Sequence, residues 1–260
     1  MTPYFLNKQV YRLNMTLPLV LASAFAVSSS VQASLYTTSI GNLVPGYVAN
    51  DDNSFDKINL GFSVNYFGTI YNSFFVNNNG NVTFGSGTDE YDPSPLNTQT
   101  TQPMIAPYWT DLDTRDSPYA DSGVYLTQTA NQTIVTWKNM GYFDKNYTGV
   151  ATFQMVLNNP ATVLNQQVIG FFYDELTFGA DEYPVTVGFG DGLGKINSGE
   201  VSYAAGENVL VAAQLNQSSV WFDLENGTPV VVPNVPLPGA FWLFLSGLLG
   251  LLGLKRQYKI

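Results

Sequence analysis

Phe74-Phe75-Val76-Asn77-Asn78-Asn79-Gly80-Asn81-Val82-Thr83-Phe84 is the stretch that decides the fold. Aromatic and β-branched residues flank a polar break that ends in glycine, the one residue that takes a positive φ without cost. The loop length follows from which pairing puts apolar residues opposite each other. A two-residue Asn79-Gly80 loop would oppose Val82 to Asn77. A three-residue loop opposes Val76 to Val82 and Phe74 to Phe84, and places Gly80 where a left-handed residue is wanted. The three-residue hairpin is therefore expected.

Working outward, strand-like runs recur throughout. Ile58 to Phe67 alternates loosely, and Met104 to Trp109 is a continuous apolar run. Gly123 to Thr127 and Thr133 to Trp137 flank a five-residue polar loop. In Gly149 to Leu157, Ala151, Phe153, Met155 and Leu157 would share one face, with Thr152 and Gln154 on the other. Val168 to Tyr173, Pro184 to Phe189 and Ser219 to Leu224 follow, the last read as the final strand. Helical periodicity is absent from the body, except for a turn or two near Ala204 to Leu215. Many short strands with polar turns predict an all-β fold, an antiparallel β-sandwich.

Composition narrows the chemistry. The 260 residues contain neither Cys nor His. Disulfides, zinc sites built on those residues, Cys nucleophiles and any Ser-His-Asp triad are thereby excluded. The formal net charge is −10, but residues 34–235 hold five of the basic residues and all twenty acids, a net −15. Such a surface repels nucleic acid and attracts divalent cations, so no nucleic-acid partner is expected.

The two ends read as targeting segments. Lys8 and Arg12, the apolar stretch Met15 to Val27 and the Val31-Gln32-Ala33 site form a secretory signal over residues 1–33, cut after Ala33. Residues 34–230 are one domain with no internal linker. In residues 231–260, Val235-Pro236-Leu237-Pro238 leads into sixteen uncharged residues, Gly239 to Leu254, closed by Lys255-Arg256. Physically this is a short transmembrane helix with a positive cytoplasmic stop.

That tail resembles a PEP-CTERM-type sorting signal in its Val-Pro-Leu-Pro variant, with Trp242-Leu243-Phe244-x-Ser246-Gly247-Leu248-Leu249-Gly250 following the pattern. Gly239 departs from it, standing where Ala is usual. The resemblance implies a Gram-negative protein held transiently in the inner membrane, then cut near the Pro motif by an exosortase-type membrane protease. Such proteins travel with exopolysaccharide or biofilm production.

A second resemblance covers most of the remaining chain, from about Gly61 to Leu224. The hairpin, then Ile105-Ala106-Pro107-Tyr108-Trp109-x-Asp111-x-Asp113-x-Arg115, is similar to the nidogen-like (NIDO) extracellular domain. Thr136-Trp137, Thr152-Phe153-Gln154-x-x-Leu157 and Val187-Gly188-Phe189 continue the likeness. It implies an extracellular, non-enzymatic module of the matrix and cell-adhesion kind, with a polysaccharide or a matrix or surface protein as partner.

Candidate sites are few. Asp111, Asp113 and Asp116 stand at i, i+2 and i+5, where loop oxygens can converge on Ca²⁺. The rest of an EF-hand loop is missing: position 6 is Asp116 and position 12 is Ser122. The other reading is structural, with Arg115 and backbone N–H groups compensating the carboxylates; a merely solvated loop is the third. Asp51-Asp52-Asn53 and Asp89-Glu90-x-Asp92 read as solvated acidic loops first, with weak cation binding as the second reading. Tyr108, Trp109, Tyr142 and Tyr147 are the aromatics near polar loops that could meet a sugar face, although Trp109 and Trp137 each end an apolar run and suit a core. A glycosidase would need two carboxylates across a cleft, and with twenty acids some such pair arises by chance. The expected function is an exported adhesion or interaction protein. The alternatives are a secreted carbohydrate-binding module or a glycoside-active enzyme. No cofactor is expected, with Ca²⁺ at Asp111, Asp113 and Asp116 the one candidate.

Overall fold

The structure, a computed structural model, describes residues 35–96, 102–163, 165–177, 184–193, 201–207 and 215–232, with 201–207 described by backbone alone. The segments read from sequence as a signal, residues 1–33, and as a sorting tail with Pro236, Pro238, Lys255 and Arg256, lie outside these residues. Among the described residues no helix is long and apolar enough to cross a membrane.

The described chain is all β, in two antiparallel sheets. One is ordered β1 (Asn42–Leu43), β7 (Gly123–Thr129), β8 (Gln132–Tyr142), β9 (Asn146–Asn158), β10 (Ile169–Leu176), β13 (Ser219–Glu225) and β14 (Thr228–Val231), with β6 (Leu112–Asp113) paired to the end of β8. The other is ordered β12 (Val201–Glu207), β11 (Pro184–Gly190), β5 (Met104–Trp109), β4 (Asn81–Thr83), β3 (Thr69–Asn77) and β2 (Ile58–Tyr66).

The sheets pack face to face because alternate residues of each strand are apolar. β2 alternates strictly between buried and exposed, with Asn59, Gly61, Ser63 and Asn65 outward. In β9 the expected face, Ala151, Phe153, Met155 and Leu157, joins the core. Phe171 of β10 stacks on Phe189 of β11 at 5.3 Å, and Tyr108 of β5 meets Phe153 at 5.4 Å. Polar tips also cross the interface. Trp137 Nε1 donates to Asn77 O at 3.0 Å, and the Tyr173 hydroxyl donates to Pro107 O at 2.8 Å. Each such bond satisfies a group that would otherwise be stranded in the core.

The outer face of β9 is not open. Thr152 and Gln154 are buried. Thr37 N donates to Gln154 Oε1 at 3.2 Å, and Gln154 Nε2 returns a bond to Thr37 O at 2.9 Å. Beside it Tyr36 packs on Phe172 and Trp221.

Several expectations need correction. β7 and β8 run longer than their apolar cores, so Thr129 pairs with Gln132 and the loop is two residues, not five. Ser219–Glu225 is not the last strand: an Asn226-Gly227 turn, with both residues at positive φ, returns the chain as β14. Val201–Glu207, partly read as helical, is a strand paired to β11. Pairing along an available edge outweighs the modest helix preference of Ala204 and Ala205.

Candidate functional site

The hairpin loop is the hub of the site. Val76 pairs with Val82 and Asn77 with Asn81, leaving Asn78-Asn79-Gly80 as the three-residue loop. Gly80 has φ +74°, and a Cβ there would stand 2.0 Å from Tyr108 O. Only glycine lets the loop lie this close against β5. The backbone seals the fit: Tyr108 N donates to Gly80 O at 3.2 Å and Thr110 N to Asn79 O at 3.3 Å.

The asparagines are buried and organise two further loops. Asn78 Nδ2 donates to Asp51 O and Leu112 O. Asn79 Oδ1 accepts from Leu112 N at 2.8 Å, while Asn79 Nδ2 donates to Asp52 Oδ1 at 3.0 Å. A second clamp joins the same loops, since Thr114 Oγ1 accepts from Asn50 N at 2.8 Å and Asn50 O accepts from Thr114 N at 2.9 Å. Between β5 and β6 the chain leaves one sheet and joins the other within Thr110 and Asp111. Asp111 thus sits at the corner where the sheets meet, facing the Asp51-Asp52 loop.

Asp51, Asp52 and Asp111 each place a carboxylate oxygen within 4.8 Å of the others. Oδ1 of Asp51 and Oδ1 of Asp111 are closed to solvent and have no hydrogen-bond partner. Burial, reinforced by the Asp52, Asp51 and Asp113 charges, pushes the Asp111 carboxyl up to about 7. Burial and the charges of Asp113 and Asp52 push Asp51 up to about 6, against the opposing pull of Arg115. Three carboxylates share this corner with too little positive charge.

The three candidate aspartates of the sequence separate into different roles. Asp111 is in the trio. Asp113 is fully buried and held by Arg115: Oδ1 accepts from Arg115 N at 2.8 Å and Nε at 2.9 Å, and Oδ2 from Nη2 at 2.6 Å and from Lys145 N at 3.0 Å. Burial alone would raise its pKa, but these bonds hold it below the ordinary carboxylate value. Arg115 also reaches Asp51 Oδ2 at 2.5 Å. Asp116 is exposed and ion-paired with Lys145. The partners of Asp111 come instead from a loop sixty residues upstream that the sequence reads as solvated.

A pocket of about 330 Å³ opens beside the trio, lined by Asp52, Asp111, Tyr91, Asp92, Pro93, Phe143 and Pro184. Its two aromatic walls have accessible faces, with Tyr91 53 % and Phe143 47 % exposed. The aromatics named from sequence lie elsewhere. Tyr108, Trp109 and Tyr142 are buried in the core, and Tyr147 is half-buried with its hydroxyl donating to Asp113 O at 3.0 Å. Trp109 and Trp137 are core residues, as their apolar runs suggest. Tyr91 was within reach of sequence reasoning as the unassigned residue of Asp89-Glu90-x-Asp92.

Neither a curated protein nor a solved structure matches the chain. Its sequence matches the NIDO-related family over residues 26–224, most of its length, and the chain belongs to that family.

Proposed function

We infer that this chain is an exported, non-enzymatic adhesion or interaction protein that binds an extracellular ligand in the acidic pocket. Export rests on the N-terminal signal. Retention in the inner membrane and release by an exosortase-type protease rest on Val235-Pro236-Leu237-Pro238, the apolar helix and Lys255-Arg256. The mature protein then belongs to the cell surface or the exopolysaccharide layer, with a matrix polysaccharide as the ligand.

The observation that carries the binding half is the pocket itself. Two accessible aromatic faces and three carboxylates line about 330 Å³, on loops pinned by buried asparagines. Aromatic faces suit sugar rings, and a few fixed polar groups orient a ligand. Asp52, Asp92 and Asp111 line the pocket, and Asp51 places a carboxylate oxygen within 4.8 Å of those of Asp52 and Asp111.

Co-sedimentation of the protein with purified exopolysaccharide from its host tests this reading. The wild type should bind saturably, and Phe143→Ala and Asp111→Asn should each weaken binding at least about tenfold, the scale of ~1.4 kcal/mol. Unchanged binding in both variants would remove the pocket from the account.

A further inference from the structure

We propose that Asp51, Asp52 and Asp111 hold a calcium ion, with its remaining coordination positions open to the pocket. The ligand half of this proposal, that a saccharide hydroxyl completes the ion's shell, rests on the function inferred above; the ion site does not.

The first support is geometric. Calcium keeps oxygen ligands at about 2.3–2.6 Å, so oxygens on opposite sides of one ion lie about 4.6–5.2 Å apart. The three carboxylates offer atoms within 4.8 Å of one another, so one ion can touch all three.

The second support is independent of the clustering. Oδ1 of Asp51 and Oδ1 of Asp111 are shut off from solvent and accept no hydrogen bond. A buried carboxylate oxygen without a partner costs several times what an exposed one does, and a cation satisfies it. The nearby side-chain cations are committed. Arg115 spends Nε and Nη2 on Asp113 and Asp51 Oδ2, and Lys145 is paired with Asp116. Asp111 also lines the pocket, so an ion bound to it is reachable by a ligand. With all-oxygen donors and no His or Cys in the chain, the site suits a hard cation.

The neighbouring aspartates define the site's limits. Asp113 Oδ1 and Oδ2 are saturated by Arg115 and the Lys145 backbone, so Asp113 positions the wall without ligating.

The test uses calcium chloride alone as the probe, on the full chain. Thermal melts in EGTA and in 10 mM calcium should differ by roughly 3–10 °C for a site of extracellular affinity, ~10⁻⁴–10⁻³ M. Asp52→Asn/Asp111→Asn should lose the shift, while the charge-matched Asp223→Asn/Glu225→Gln control keeps it. No shift in the wild type, or an equal shift in the site variant, overturns the proposal. Equilibrium dialysis of calcium against the wild type keeps the question open to refutation should the site variant fail to fold: one ion per chain is expected, and none refutes the site. Polysaccharide binding that persists in EGTA, with no calcium uptake, refutes the ion and leaves the pocket. Calcium uptake without polysaccharide binding upholds the ion and refutes the pocket's assigned ligand.

Discussion

Replacing Asp113 by Asn changes one atom, yet both carboxylate oxygens are in use. Oδ1 accepts from Arg115 N and Nε, and Oδ2 accepts from Lys145 N and Arg115 Nη2. Whichever way the Asn amide turns, its NH₂ faces a backbone N–H. One part-buried backbone donor is then left without its partner, at about 1–3 kcal/mol, and charge-assisted bonds worth about 1.5–3 kcal/mol weaken. The Arg115 side chain is 39 % exposed, so its share is screened and the smaller end of that range applies. The sum is about 3 kcal/mol, or roughly 6–12 °C in Tm for a domain of this size. Urea denaturation monitored by Trp fluorescence reads it. Arg115→Gln is the control: it removes the exposed partner but leaves both backbone bonds, and should cost clearly less than Asp113→Asn. An Asp113→Asn variant within about 0.5 kcal/mol of wild type would refute the assignment of Asp113 as a structural carboxylate. So would an Arg115→Gln variant that costs as much.

Other outcomes follow from the same geometry. Gly80→Ala should destabilise by about 3 kcal/mol or more, combining a left-handed alanine with a Cβ 2.0 Å from Tyr108 O; a urea midpoint equal to wild type would mean the loop can retreat from β5. Acid should stabilise the metal-free protein. Asp111 at about 7 and Asp51 at about 6 hold protons in the folded state that the unfolded chain has released, so stability should rise as pH falls from about 8 to 5. Asp113 is shifted the opposite way, and its contribution is lost only at lower pH, as its lowered pKa is passed. Urea midpoints in EGTA that fall steadily over that interval would contradict the first trend. Pro236→Ala/Pro238→Ala should leave export intact but trap an unprocessed membrane-bound form, visible by fractionation and immunoblot; normal release would sink the sorting assignment.

Local features were the legible ones. The hairpin register could be chosen because only one loop length sets Val76 against Val82, and the inward face of β9 follows from alternation within one strand. The positive φ of Gly80 was likewise expected from its place in the loop. The Asn226-Gly227 turn is equally readable, since Asn-Gly between strand-like runs is a strong hairpin signal. What the sequence hides is convergence. Asp51 and Asp52 look like solvent-exposed acids until the buried Asn78 and Asn79 bind their loop to Leu112. The change of sheet at Thr110 and Asp111 has no periodic signature, so nothing local says that Asp111 faces a loop sixty residues away while Asp113 turns to Arg115. The aromatics show the same limit. Tyr142 ends β8 in the core, and Phe143, the first residue of the turn beyond it, stands on the pocket wall.

The proposed function places this domain outside the cell, against a matrix. Intact mass of the native protein, taken after fractionating its host into cytoplasm, inner membrane and extracellular polysaccharide, tests that most directly. A chain lacking residues 1–33 and the tail beyond the Pro motif, recovered with the polysaccharide, is the expected result. A full-length chain in the cytoplasm, or one retaining residues 239–260 in the inner membrane, would contradict it.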